Sequence, residues 1–140
     1  RPAIAWARRN AELNDLAAAP VRWIVDDALS FARREIRRDR RYDGLVLDPP
    51  SFGHGSTGRA WRLESDLQAL VEACAALLAD RPGFVVLSAH TPGYPPERLG
   101  AILGEALGAR RGGRVDVDAL AIVAASGRRL ELGAVARWRG

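Results

Sequence analysis

The residues best suited to chemistry lie together at Asp48-Pro49-Pro50-Ser51-Phe52, directly after the apolar run Gly44-Leu45-Val46-Leu47. That run has the composition of a buried strand. The motif therefore sets a carboxylate, two prolines and an aromatic ring at a strand's carboxyl end, the edge where open α/β sheets bind ligands. Each proline fixes φ and offers a carbonyl with no N–H of its own residue. Such a rim suits a planar substrate whose amino group needs acceptors and whose face needs a ring. Two other strand ends are polar: Asp26-Asp27 after Val21–Val25, and Ser88-Ala89-His90 after Phe84–Leu87. Parallel neighbours would line all three along one edge. Taken alone, Asp27 also reads as a helix cap.

The elements that must hold these groups follow from apolar spacing. Helices are expected over Ile4–Leu16, Ala28–Arg38, Trp61–Leu78 and Glu97–Leu107. Asn14-Asp15 marks the first helix's stop, and Asp27 stands where the second would be capped. Strands are expected over Val21–Val25, Tyr42–Leu47 and Phe84–Leu87, with Tyr42–Leu47 central because it is apolar on both faces. Ser51–Ala60 reads as a glycine loop. Val115–Ala124 and Leu130–Trp138 flank Ser126-Gly127-Arg128 as a terminal hairpin. The order α-β-α-β-α-β-α-β-β implies an α/β fold: a Rossmann-like, doubly wound sheet, mostly parallel, closed by an antiparallel pair.

At 140 residues and 48% apolar, the chain has the size and core of one domain, residues 1–140. No run approaches the ~18 apolar residues of a membrane span, so no membrane partner is expected. The chain opens without Met and on a helix, where a doubly wound sheet has a strand and a glycine turn. It reads as a partial domain, truncated at its N-terminus.

All 21 basic residues are arginine, and the net charge is +4. Arg33, Arg34, Arg37, Arg38, Arg40 and Arg41 crowd one stretch, which reads as a solvated helix face or as a phosphate contact. Cys74 is the sole cysteine, so no internal disulfide can form, and a cytoplasmic protein is the expectation. Two distant histidines, His54 and His90, give no metal signature; either is a candidate general base, and His54 also a candidate RNA contact. Trp61, just after the glycine loop, is the tryptophan best placed near the motif.

Three stretches together resemble the catalytic half of class I S-adenosylmethionine-dependent methyltransferases. They are Val21-Arg22-Trp23-Ile24-Val25-Asp26-Asp27-Ala28, Tyr42 through Gly53, and Trp61-Arg62-Leu63-Glu64. The likeness is to the bacterial branch that includes the large-subunit ribosomal RNA methyltransferases. The helix Trp6–Asn14 fits the one before that family's third strand. The resemblance implies S-adenosylmethionine as cofactor and RNA as substrate. It implies that Asp27 accepts the adenine amino group with Ala28 packed beside it. It implies that Asp48 and Pro49 offer acceptors to a substrate nitrogen and border the methionine moiety, with Pro50 counted among the catalytic residues of the motif. Phe52 would stack on the target base.

Two departures shape the expected activity. The family's glycine-rich loop and ribose-binding acid belong to strands this chain does not contain. The segment alone is therefore expected to bind S-adenosylmethionine weakly or not at all and to be inactive. Relatives that methylate cytosine C5 carry a cysteine just after the strand that ends here in Ser88-Ala89-His90, because that carbon needs a thiolate adduct. Cys74 sits instead on a helix's apolar stripe. The expected acceptor is a nucleobase nitrogen, guanine in ribosomal RNA.

Two other readings stay open. Gly44–Asp48 is also similar to a Walker B strand, but that chemistry needs a phosphate-loop lysine, and the chain has none. A degenerate methyltransferase-like domain that binds RNA or protein without catalysis is the alternative.

Overall fold

The structure, a computed structural model, describes residues 2–54, 60–81, 83–108 and 112–140, the His54 side chain excepted. The expected role of His54 and the centre of the glycine loop lie outside the described residues. The elements run α1 (Pro2–Leu13), α2 (Ala28–Arg37), β1 (Gly44–Leu47), β2 (Phe52–His54), β3 (Ala60–Arg62), α3 (Leu63–Ala75), β4 (Phe84–Ala89), α4 (Pro96–Leu107), β5 (Arg114–Val123) and β6 (Arg129–Arg139).

Helix ends form where the side chains allow. Asp15 takes the left-handed conformation (φ 58°), and the Leu16 N–H returns to the Ala11 carbonyl at 2.8 Å. This closure satisfies the last carbonyls of α1. Asp39 (φ 53°) ends α2 the same way, with Arg40 N–H on the Glu35 carbonyl at 3.0 Å. At the other end of α2, Asp27 Oδ1 accepts the Ser30 N–H at 2.8 Å, so Asp27 is a helix cap.

One four-stranded sheet carries the fold, in the order β1-β4-β6-β5. β1 runs parallel to β4, with Leu47 opposite Leu87. β6 runs antiparallel to both β4 and β5, so the terminal hairpin forms as expected. Alternate residues of these strands (Leu45, Leu47, Val85, Leu87, Ala134, Ala136, Trp138) pack with buried side chains of α3 and α4 such as Leu63, Leu67, Leu99 and Leu103. Ala32 of α2 joins Leu70, Cys74 and Leu77 in a neighbouring cluster.

The expected doubly wound, mostly parallel sheet needs correction on three points. Val21–Val25 forms no strand. Its β-branched residues favour extended backbone, but a strand requires a ladder partner, and none of the described strands pairs with it. Val21, Ile24 and Val25 are accordingly exposed. β1 is therefore an edge rather than a central strand, and β1–β4 is the one parallel pair in the sheet. Finally, α2, α3 and α4 share one face of the sheet, while Val46 on the other face of β1 is 70% exposed and α1 buries no residue. The expected loop over Ser51–Ala60 also contains structure: β2 and β3 pair antiparallel, with Phe52 opposite Arg62 and Gly53 opposite Trp61. Trp61 and Arg62, expected in a helix, belong to this hairpin. Helical packing begins at Leu63, which is fully buried.

Candidate active site

Parallel pairing of β1 with β4 brings two of the three expected strand ends side by side. Ser88 Oγ donates to Asp48 Oδ1 at 2.7 Å, and His90 Nε2 lies 3.3 Å from the same oxygen. No partner takes Asp48 Oδ2 among the described residues, and the side chain is 60% exposed. The third end arrives without a strand. Asp27 starts α2, and α2 packs on α3, which sets the Asp27 cap across from Asp48.

Between them opens a cleft of about 680 Å3. It gathers the predicted Asp27, Ala28, Asp48, Pro49 and Pro50, floored by Leu29, Leu47 and Leu70. Phe52 is half exposed and does not line it. The prolines divide their roles. Pro49 is buried, and among the described residues its carbonyl has no partner. The Pro50 carbonyl accepts the Trp61 indole N–H at 2.7 Å, and the Ser51 carbonyl accepts the Leu63 N–H at 3.1 Å. The Ser51 hydroxyl meets that of Thr91 at 2.6 Å. The motif is thus tied on one side to the β2–β3 hairpin and α3, and on the other to the segment after β4.

Asp26 also lines the cleft, but Arg34 holds it. The Arg34 hydrogen bond, helped by the Asp27 N–H at 2.9 Å, keeps the Asp26 carboxyl below its ordinary range. Among the described residues the lining carries three carboxylates and no arginine. Apart from Arg34, which holds Asp26 at the cleft, the arginine run lies elsewhere. α2 begins at the cleft and leads away from it, so Arg37 stands ~14 Å from Ala28 at 1.5 Å per residue. Arg34, Arg38 and Arg41 pair with Asp26, Glu35 and Asp39.

Cys74 is buried beneath Leu70 and Leu77, and burial pushes its thiol up to about 11. Sequence reasoning missed Leu132, whose carbonyl receives His90 Nδ1 at 2.7 Å. Only a strand register could have revealed that contact.

Comparison with known proteins assigns this arrangement to a class of fold. The chain superposes on the SAM-dependent methyltransferase from Agrobacterium tumefaciens with a TM-score of 0.91 and 33% identity, covering 99% of this chain and 46% of that one. SMU.776, complexed with SAH, shares the fold at a TM-score of 0.73 and 15% identity over 97% of this chain and 36% of its own. In sequence, 75 residues are 29% identical to ribosomal RNA large subunit methyltransferase K of Neisseria meningitidis serogroup B, which is 53% of this chain and 21% of that protein. No family model matches. In fold and in sequence the chain is thus similar to part of a SAM-dependent methyltransferase. It spans less than half the length of these relatives.

Proposed function

We propose that this chain supplies the substrate side of a methyltransferase that modifies a nucleobase nitrogen, with guanine in ribosomal RNA as the expected acceptor. One observation carries the reading: among the described residues Asp48 is anchored through Oδ1 alone, beside a Pro49 carbonyl without a partner, on the rim of a cleft that also holds Asp27. Those two oxygens are acceptors aimed at the needs of an amine. The relation to the ribosomal RNA enzyme supports RNA as substrate.

The cleft suits the cofactor's chemistry. Its carboxylates and apolar floor fit a cation that also bears amine donors. Asp27 caps α2 with Oδ1 and keeps Oδ2 for the adenine amino group, with Ala28 leaving room beside it. When bound, S-adenosylmethionine supplies an electrophilic methyl group. The chain's own residues then need only orient the acceptor, and alignment can supply most of the rate. Asp48 Oδ2 and the Pro49 carbonyl would accept the target's N–H groups and direct its lone pair. Asp48 Oδ2 is also placed to take the proton the nitrogen sheds. Phe52, exposed at the start of β2, would stack on the base. Cys74, buried and held protonated, cannot serve as a thiolate, which favours nitrogen over carbon.

The test is transfer of labelled methyl to large-subunit ribosomal RNA by the protein that carries this chain at natural length. Asp48→Ala should lower kcat by ~100-fold or more, and the label should sit on a base nitrogen. Label on a pyrimidine carbon, or an Asp48→Ala enzyme of normal rate, would overturn the proposal.

A further inference from the structure

His90 joins three strands through one ring. Its Nδ1 lies 2.7 Å from the Leu132 carbonyl oxygen of β6, and its Nε2 lies 3.3 Å from Asp48 Oδ1 at the end of β1. The Leu132 carbonyl is available because β6 bulges there. Leu120 pairs with Gly133 and Ala121 with Glu131, which leaves Leu132 as the extra residue. Bulges re-aim groups in this way beside functional sites. Gly133 permits the approach. Its φ is 143°, and a Cβ would fall 2.2 Å from the Ala89 carbonyl oxygen. β6 therefore passes His90 at a distance that only glycine allows.

The contacts also fix what the ring must do. A carbonyl can only accept, so Nδ1 carries hydrogen. Nε2 then faces a carboxylate oxygen. The Leu132 carbonyl thereby sets the ring's orientation, and that orientation turns its Nε2 edge toward Asp48. The Ser88 hydroxyl from β4 donates to the same Asp48 oxygen, and no arginine pairs with Asp48 among the described residues.

We infer that His90 is a positioning residue for Asp48. Held at Nδ1 by the Leu132 carbonyl and facing Asp48 Oδ1 with Nε2, it links Asp48 to the Leu132 bulge. With Ser88 it fixes the carboxylate so that Oδ2 meets the acceptor amine. The inference rests on the proposed role of Asp48 toward that amine. No proton passes through His90 in this role; the ring aligns.

The experiment has two arms. In 15N spectra of the chain itself, His90 Nδ1 should appear protonated, and Asp48→Asn should move Nε2 more than Nδ1. In the methyltransferase that carries the chain, His90→Ala should lower kcat ~tenfold with KM for S-adenosylmethionine unchanged. His90→Gln, which can reach Asp48, should recover most of that loss. His90→Asn, which can reach only Leu132, should not. An unprotonated Nδ1, a ring indifferent to Asp48→Asn, a His90→Ala enzyme of full kcat, or equal behaviour of the Gln and Asn variants would overturn the inference. Failure of the functional reading looks different: Asp48→Asn would then transfer methyl normally while the coupled ring signals persisted.

Discussion

The Trp61 indole N–H donates to the Pro50 carbonyl over 2.7 Å. This bond crosses from β3 to the turn that follows Asp48, and it occupies the carbonyl of one of the motif's two prolines. Among the described residues the Pro49 carbonyl has no partner, so the indole sets the two proline carbonyls apart.

Trp61→Phe keeps the ring and removes the donor. The expected cost is ~1 kcal/mol of stability, that of one net hydrogen bond, read from urea unfolding. A variant as stable as the parent would show that the bond contributes nothing.

Cys74 should be inert in the native state. With its thiol raised to about 11 by burial, roughly one in a thousand is ionised at pH 8, so alkylation should require unfolding. Cys74→Ala should retain methyl transfer in the protein that carries the chain and lose ~1 kcal/mol from the α2–α3 cluster. Rapid iodoacetamide labelling of the folded chain would contradict this.

Gly133→Ala should be severe. The added carbon meets the Ala89 carbonyl oxygen and Ala89 C together, and both belong to the backbone and cannot swing aside. A loss of ~3 kcal/mol or more is expected, whereas Gly127→Ala in the hairpin turn, with open space around it, should cost only the ~1 kcal/mol of its left-handed φ of 79°. Equal melting temperatures for the two would count against the bulge geometry.

Acid stability should depend on Tyr42. Its hydroxyl donates to Glu35 at 2.7 Å, and this bond, opposed by burial and helped by Arg38, holds the Glu35 carboxyl below its ordinary 4.5. A depressed carboxyl stabilises fully above its unfolded value, and the contribution is lost as pH falls through the lower folded value. Tyr42 itself is raised above 10.0 by burial and by Glu35. Its contribution is present below that value and lost as pH rises through the folded one. Tyr42→Phe should flatten the acid limb of a plot of urea midpoint against pH. An unchanged limb would remove Glu35 from the account.

Much of the molecule was legible in the sequence because local signals and tertiary demands agree there. Asn14-Asp15 stops α1, Asp27 caps α2, and the hairpin around Gly127 forms. Asp48 and the Ser88-to-His90 end do meet, since β1 and β4 both form and pair in parallel. Val21–Val25 misled because β propensity describes a residue's fit to a sheet and does not supply the neighbour. Trp61 misled because the apolar period of α3 runs backward through it, while its indole is drawn to Pro50. The Leu132 carbonyl was invisible for another reason: a bulge depends on the register between two strands.

The outer edge of β1 also matters in solution. Beyond its pairing with β4, this strand presents a row of backbone donors and acceptors, with Val46 exposed beside it. Such an edge templates pairing with another chain. The isolated chain should therefore associate as concentration rises, visible as growing light scattering. Val46→Arg should suppress it by placing a charge beside the edge, and indifference to that substitution would move the contact elsewhere. The backbone that presents Asp48 is then also what limits how concentrated this polypeptide can be kept.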